Sequence, residues 1–428
     1  MPELPSLKRP RPRQPGGSGG SGGGADEDAR VVIVSTVKAS VEETERHVRR
    51  NLAAGADHLV LCVDDADPEV CARWAGDPHV TAVPTDAAYW GGERSDRLAR
   101  RQGINANLVN LALTLVPGAR WLFSLDADEC LHIDRSVLLG LGPGKRVVRL
   151  TTMEAVSRTE ADAGTPTDAP VEGTRRYKRQ LSDEELEMLV VMGALTEAHM
   201  GSYFRGHRRK IGVRPDRRFR LFLHEVENAQ GTKVPMHRDA ARLRVLHDES
   251  PTLEEFVRKW SAHVEGGGFH QSPERRAIRG VFLALRENPA ATAEEVAAVH
   301  RRLYERVALD DVALLDALGF LEVPDAARHT HQPLPFTADD QQRWEAALAA
   351  MCSVDKALLS HLPKARPVQA LRQAQRHLST EHPALAAELG ASLPKRKRLS
   401  RRADDELDGE DEAVDEAVDE AAAEGAAG

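Results

Sequence analysis

Hydrophobic residues near the start of the organised sequence come in short unbroken runs, and an amphipathic stretch separates the first two. The runs are residues 31–36 and 57–63, and the helical pattern between them covers residues 40–54. Gly55 follows this pattern at the position where glycine commonly ends a helix. Unbroken apolar runs of this length are typical of strands that are buried on both faces of a parallel sheet. The order strand, helix, strand therefore predicts a βαβ unit.

The same alternation continues along the chain. A short apolar run at 80–83 precedes a helical pattern at 101–115, which leads to another apolar run at 121–125. Strands that alternate with helices predict an α/β fold with a mostly parallel sheet flanked by helices. Residues 147–150, 219–223 and 243–246 predict further strands, and His224 and His247 follow the last two.

Beyond Pro251 the pattern is helical to about residue 389. The clearest helical stretches are residues 253–264, 274–285, 293–307 and 338–350. We therefore divide the chain into a Gly/Ser-rich leader at 1–28, an α/β domain at 29–250, a helical region at 251–390 and a basic, then acidic tail at 391–428. The leader and the tail lack the apolar residues that a packed core needs, and we expect both to be disordered. An exposed insertion rich in Asp, Thr, Pro and Gly is expected at 159–173.

Composition and charge narrow the functional class. The chain has 428 residues and a net charge of −9, which does not favour nucleic-acid binding. Its four cysteines have no Cys-x-x-Cys spacing, which fits a reduced cytosolic compartment. No apolar run approaches the roughly 20 residues that cross a bilayer, and the N-terminus lacks the apolar core of a secretory signal. We expect a cytoplasmic protein without a transmembrane segment.

Acidic residues follow two of the predicted strands. Asp64, Asp65 and Asp67 follow the second strand, and Asp126, Asp128 and Glu129 follow the apolar run at 121–125. In a parallel sheet the carboxyl ends of the strands form the edge at which ligands bind. Two carboxylates at this spacing can share Mg²⁺ or Mn²⁺, and such an ion can neutralise a diphosphate. For either group alone, an ordinary acidic turn after a strand is the alternative.

Several segments resemble, in their order, motifs of the GT-A-fold glycosyltransferases of family 2 and the related family 92 group. The segments are VVIVSTVKAS with Lys38, the turn Asp64-Asp65-Ala66-Asp67, the helix start RQGINAN, the motif DADE and HDESPTLEEFVRK. Residues 206–215 add a basic loop with a Lys-x-x-x-Arg-Pro pattern. Together these segments cover about half of the chain.

The resemblance implies a GT-A-like, Rossmann-like fold and the metal-dependent transfer of a sugar from a nucleotide-sugar donor to an acceptor hydroxyl, with inversion. It implies Mn²⁺ or Mg²⁺ as the cofactor, with Asp126, Asp128 and His247 as ligands. The donor-binding residues that it implies are Lys38, Asp64, Asp65, Asp67, Arg101, Asn105, Asp126, Lys210 and Arg214. Inversion needs a general base, for which Glu129 and Glu225 are candidates. The acceptor, whether a glycan, a lipid or a small molecule, stays open.

Two other functional classes stay open as well. The acid cluster could serve a Mg²⁺-dependent phosphohydrolase or nuclease, or the same fold could form a non-catalytic nucleotide- or sugar-binding module. Ala39 and Ser40 replace the Asn-Glu pair of the family, and the turn at 64–67 lacks its Gly-Ser. These two departures from the family motifs are the reason to retain the binding module as an alternative. The intact acid cluster favours an enzyme, because buried acids are costly unless a cation pairs with them.

Overall fold

The computed structural model describes residues 29–92, 94–158, 175–196, 210–265, 273–360 and 367–393. The predicted leader at 1–28 and the predicted insertion at 159–173 lie outside these residues, as does the tail beyond residue 393.

The predicted βαβ unit is present at the start of the domain. β1 (Arg30–Val37), α1 (Val41–Ala53) and β2 (His58–Asp64) follow one another as the apolar pattern predicts. Ser40 caps α1, because its hydroxyl accepts a hydrogen bond from the Glu43 amide and the Glu43 carboxylate accepts one from the Ser40 amide. Apolar periodicity and this reciprocal cap together account for the unit.

The alternation continues through the first half of the chain. The elements are α2 (Pro68–Arg73), β3 (Val80–Thr85), α3 (Ala87–Trp90), α4 (Leu98–Leu113), β4 (Ala119–Ser124), β5 (Glu129–Ile133), α5 (Arg135–Leu139) and β6 (Val147–Ala155). They confirm the strands predicted at 80–83, 121–125 and 147–150 and the helix predicted at 101–115. β5 has no counterpart in the prediction, because it is short and opens on an acid.

Short strands and then helices make up the second half. The elements before the helical region are β7 (Tyr177–Lys178), α6 (Asp183–Val191), β8 (Lys210–Val213), β9 (Arg220–Leu221), β10 (Val226–Glu227), β11 (His237–Arg238) and β12 (Leu243–His247). The helical region contains α7 (Leu253–Glu265), α8 (Pro273–Glu287), α9 (Ala293–Val307), α10 (Val312–Ala317), β13 (Leu321–Glu322), α11 (Ala338–Cys352), α12 (Pro367–Glu381) and α13 (Pro383–Ser392). The four predicted helices are confirmed as α7, α8, α9 and α11.

The sheet is mixed rather than mostly parallel, which corrects the prediction. β3, β2, β1 and β4 lie side by side and run parallel. β8 then pairs antiparallel with β4 on one side and with β6 on the other. In the described part of the chain the strand order is β13-β7-β6-β8-β4-β1-β2-β3, with β11 and β12 paired to β6 and β5 paired to β12. The fold is thus α/β, with a mixed, curled sheet flanked by helices.

Two segments differ from their predicted form. The strand predicted at 219–223 is reduced to β9, which forms a separate two-stranded hairpin with β10. The basic segment predicted as a loop at 206–215 contains β8, whose residues are all buried between two neighbouring strands. Pairing on both sides of a four-residue strand leaves no trace in the local apolar pattern, so the sequence did not indicate it.

Helices cover both faces of the sheet and divide the helical region into two parts. On one face, buried residues of α4, α11, α12 and α13 form one apolar cluster with residues of the sheet. On the other face, buried residues of α1 and α5 pack against β1, β2, β4 and β5. A further apolar cluster joins α6 to α7, α8, α9 and α10. The strands β1, β2 and β4 are therefore packed against helices on both faces.

No helix within the described ranges is both long enough and apolar enough to span a membrane.

Candidate active site

The carboxyl ends of three parallel strands meet at one edge of the sheet. β1 pairs in parallel with β2 and with β4, so the segments that begin at Lys38, Asp64 and Asp126 leave the sheet on the same side. Helix α4 joins the two acidic loops, since Arg101 donates to Asp64 Oδ2 at 2.8 Å and Gln102 donates to Asp126 Oδ1 at 2.6 Å. The structure thus brings the two groups of acids together.

Basic side chains hold the loop that follows β2. The buried Asp64 carboxylate accepts hydrogen bonds from Arg94 Nη2 at 3.0 Å and from Arg101. Asp65 pairs with Lys38 at 3.0 Å, and this hydrogen bond lowers the pKa of Asp65. Asp65 and Lys38 are both half exposed or more, whereas Asp64 is enclosed by the two arginines.

Three of the predicted donor residues make structural contacts. Asp67 caps α2, because its Oδ1 accepts from two amides of the first helical turn at 2.9 and 3.2 Å. Asn105 is buried on α4, where it donates to Thr36 Oγ1 at 2.8 Å and accepts from the Tyr89 hydroxyl at 2.7 Å. Arg101 also donates to two carbonyls of the loop before α4. These three side chains hold the loops of the edge in place.

Asp126 lies just beyond β4 and is held from two sides. Its carboxylate accepts from Gln102 and from Lys210 Nζ, each at 2.6 Å. Its amide donates to Glu129 Oε2 at 2.8 Å, and Lys210 Nζ lies 3.0 Å from the same oxygen. Burial would raise the pKa of Asp126, but the Lys210 ammonium outweighs burial and the pKa is lowered. Asp126 is therefore ionised and fixed in position.

Glu129 lies inside the protein next to Asp126. Its side chain is only 1% exposed, and burial raises its pKa to about 7. A pKa near the operating pH suits a general base, but a base must also reach the acceptor hydroxyl. Since Asp126 and Lys210 enclose the Glu129 carboxylate, the contacts favour a positioning role for this residue.

Asp128 and Glu249 share two cationic partners. Lys259 Nζ lies 2.7 Å from Asp128 Oδ2 and 3.3 Å from Glu249 Oε2. His247 Nε2 lies 3.6 and 3.4 Å from the same two oxygens. The other Glu249 oxygen pairs with Arg275 Nη2 at 3.2 Å. Burial would raise the pKa of Asp128, but Lys259 and then His247 outweigh it, so the pKa is well below its usual value.

His247 reaches the cluster from β12, which lies between β5 and β6. Its Nδ1 lies 2.8 Å from Glu154 Oε2, which turns Nε2 toward Asp128 and Glu249. Burial would lower the pKa of His247, but Glu154 and then Asp128 outweigh it and raise the pKa well above its usual value. The imidazole is therefore protonated when it faces these acids alone.

Asp248 belongs to a neighbouring buried cluster. Its carboxylate accepts from the Tyr177 hydroxyl at 3.0 Å and from Arg175 Nη1 at 3.1 Å, and it also pairs with Arg50. Burial would raise the pKa of Asp248, but the two arginines outweigh it and the pKa is lowered. The Asp248 amide donates to the Asp128 carbonyl at 2.9 Å, so this cluster supports the backbone at Asp128.

The structure does not place Arg214 and Glu225 with these acids. Arg214 follows β8 at the end opposite Lys210, where Nη2 donates to the Leu141 carbonyl at 2.6 Å. Glu225 lies in the turn between β9 and β10, where it pairs with Lys233 at 2.8 Å. Both side chains stabilise local structure in the described part of the chain.

Five side chains of the cluster were not assigned to the site from the sequence. They are Gln102, Glu154, Glu249, Lys259 and Arg275. Three of them lie within segments that carry the family resemblance, since Gln102 is part of RQGINAN and HDESPTLEEFVRK contains Glu249 and ends at Lys259. Glu154 gives no such signal, because its contact with His247 depends on the pairing of β6 with β12.

The donor atoms around Asp128 are of the types that bind divalent cations, but they are not arranged to hold one in this structure. Asp128, Glu249 and His247 offer two carboxylates and an imidazole, a set that Mn²⁺ accepts. Glu154 holds the second ring nitrogen, as carboxylates do for metal-bound histidines. In the ranges that the structure describes, however, no group of three or more His, Cys, Asp and Glu side chains is arranged to hold a metal ion. Lys259 bonds to the two carboxylates instead, so a cation would fit only after its ammonium has moved.

Comparison of the chain with protein-family models gives no match, and a search of the curated proteins gives none either. Function is therefore inferred from the residues and their geometry.

Proposed function

We propose that the chain is a glycosyltransferase that moves a sugar from a nucleotide-sugar donor to an acceptor hydroxyl with the help of Mn²⁺ or Mg²⁺. The observation that supports it is the link between the two acidic loops, made by Arg101 to Asp64 and by Gln102 to Asp126. The loops meet beyond the carboxyl ends of parallel strands, which is where α/β proteins bind nucleotides. Such an edge can receive the nucleoside at one loop and the diphosphate at the other.

In this proposal the exposed side chains of the first loop contact the nucleoside. Asp65 and Lys38 are the accessible pair, and a carboxylate there can accept hydrogen bonds from ribose hydroxyls. Asp64 cannot do so in its present contacts, because Arg94 and Arg101 use its oxygens. Asp64 instead acts by positioning Arg101 and the start of α4.

In the second loop, side chains of both signs can face the diphosphate. A bound divalent cation would neutralise charge on the departing diphosphate. Asp128, His247 and Glu249 are the residues that would hold it, while Lys210 keeps Asp126 fixed beside them. Lys259 and Arg275 are partly exposed and carry charges that suit phosphate oxygens.

Inversion, which the family resemblance implies, needs a base that faces the acceptor. Glu129 has a suitable pKa of about 7 but is enclosed, and Glu225 is exposed but paired with Lys233. We therefore propose Glu129 as a positioning residue for the loop at Asp126.

A non-catalytic binding module is the second candidate, and a specific observation favours it. Lys210 and Lys259 pair with Asp126 and Asp128, so the protein itself supplies the cations that such acids require. The acid cluster can therefore be maintained without a metal and without catalysis.

Thermal unfolding with nucleoside diphosphates and nucleotide sugars, with and without Mn²⁺, tests the proposal when combined with an assay of donor consumption. A ligand at 100 times its Kd stabilises the folded state by about 2.7 kcal/mol. We expect a metal-dependent rise in Tm with one nucleotide class, and slow consumption of the matching nucleotide sugar. Asp128→Asn should lose both effects, whereas Asp339→Asn, on the exposed side of α11 where Asp339 pairs with Arg343, should keep both.

Two other outcomes would contradict the glycosyltransferase proposal. A rise in Tm that needs no metal, survives in Asp128→Asn and comes without donor consumption would indicate the binding module. If no nucleotide raises the Tm of the wild type, the glycosyltransferase proposal and a nucleotide-binding module are both contradicted.

A further inference from the structure

Lys259 and His247 surround the same pair of carboxylate oxygens. Asp128 Oδ2 and Glu249 Oε2 each lie within 3.6 Å of both His247 Nε2 and Lys259 Nζ. The ammonium is the closer partner of each oxygen, at 2.7 and 3.3 Å. The Lys259 ammonium therefore forms the cationic centre of this group.

A divalent cation held by Asp128, Glu249 and His247 would need the same two oxygens. Hard cations bind carboxylate oxygens at roughly 2.0–2.6 Å, which is shorter than either contact with Lys259. An ammonium a few ångströms from the ion would repel it strongly in a partly buried site. The cation and the Lys259 ammonium therefore exclude one another at these oxygens.

The two lysines of the cluster differ in their freedom to move. Lys210 lies on the central strand β8, its side chain is 6% exposed, and it contacts both Asp126 and Glu129. Lys259 lies on helix α7 and its side chain is 23% exposed, with four rotatable bonds between the backbone and the ammonium. Lys210 is thus a fixed charge, whereas Lys259 can withdraw toward solvent.

We infer that Lys259 is an intramolecular competitor of the divalent cation, occupying Asp128 and Glu249 until the cation displaces its ammonium. The displaced ammonium then lies beside the bound ion, where it can pair with an anionic ligand. That the anion is a diphosphate rests on the proposed function. An anion that pairs with the Lys259 ammonium also removes it from the carboxylates of Asp128 and Glu249. Binding of the cation and binding of the anion should therefore strengthen each other.

Binding of Mn²⁺ alone tests the competition, with the EPR signal of free Mn²⁺ as the readout at constant pH and ionic strength. Lys259→Gln removes the competing charge and should bind Mn²⁺ at least about 5-fold more tightly than the wild type, the lower end of typical coupling between sites. Lys259→Arg keeps the charge and should stay close to the wild type. Lys233→Gln is the matched control, because it removes a lysine that pairs with Glu225 in the β9–β10 hairpin, and it should not change the affinity.

Glu249→Gln provides a second test that does not depend on changing Lys259. It removes one of the shared carboxylates and should weaken Mn²⁺ binding. Unchanged or weaker Mn²⁺ binding by a folded Lys259→Gln, or no Mn²⁺ binding by any variant, would overturn the inference. If the expected affinities are found but no nucleotide sugar is consumed, the competition stands and the glycosyltransferase proposal fails.

Discussion

At the scale of single residues, the turn after β2 contains backbone conformations that its side chains disfavour. Asp65 and Ala66 have φ values of +62° and +54°, in the left-handed region that costs a non-glycine residue roughly 1–2 kcal/mol. Asp tolerates this region, but Ala66 has no side-chain hydrogen bond to offset the cost. The strain of this turn therefore lies mainly at Ala66.

Ala66→Gly should therefore stabilise the protein. The relief of strain exceeds the entropic cost of glycine, roughly 0.5–1 kcal/mol, so we expect the free energy of unfolding in urea to rise by about 0.5–1 kcal/mol. The control is Ala297→Gly at an exposed position within α9, which should lower the free energy of unfolding by about 1 kcal/mol. A loss of stability in Ala66→Gly would show that the turn does not hold this conformation.

At the scale of elements, strand β8 depends on one close approach. A Cβ at Gly212 would lie 2.2 Å from Phe123 Cε1 on the neighbouring strand β4, and Phe123 is completely buried. Gly212→Ala must push the two strands apart or rotate the Phe123 ring. Because Lys210 opens the same strand, such a shift would also move its ammonium from Asp126 and Glu129.

We expect Gly212→Ala to lower the free energy of unfolding by about 1–3 kcal/mol, the usual cost of overpacking a core. Gly280→Ala is the matched control, since a Cβ at that position on α8 meets no atom within 4 Å. It should leave stability unchanged or raise it by up to about 1 kcal/mol. Urea unfolding of the two variants decides the point, and equal effects would mean that β8 is not tightly packed against β4.

Strand β8 is also one of the elements that the apolar pattern of the sequence did not predict. The apolar runs predicted β1, β2 and β4 because each is long enough to show its own pattern, and they placed both acidic loops at one edge. β8 has four residues and β5 has five, so their places depend on pairing with distant strands. The contacts of Lys210 and Glu154 depend on that pairing as well. The sequence therefore predicted Lys210 and His247 as site residues along with Asp126 and Asp128, but it did not indicate their ion pairs with these acids.

At the scale of the whole molecule, buried histidines from separate elements make stability depend on pH. Burial lowers the pKa of His58 and His132 to about 3 and that of His47 and His329 to about 4. In the unfolded chain each has a pKa near 6.5, so the unfolded state binds more protons as the pH falls below that value. The free energy of unfolding therefore decreases as the pH falls from about 6.5 toward 4. Glu129 opposes this change in the free energy of unfolding, by about the contribution of one histidine. Its raised pKa of about 7 lets the folded state keep a proton that the unfolded state loses.

Urea unfolding between pH 6.5 and pH 5 should show this loss of stability, with a slope of up to about 1.4 kcal/mol per pH unit for each uncompensated histidine. His329→Gln removes one titrating ring and keeps a side chain that can hydrogen-bond to His132, whose Nδ1 lies 2.9 Å from His329 Nε2. The slope should become smaller in this variant. A free energy of unfolding that stays constant down to pH 5 would mean that these rings take up protons in the folded state as readily as in the unfolded chain. His132 and His329 would then move apart when they are protonated.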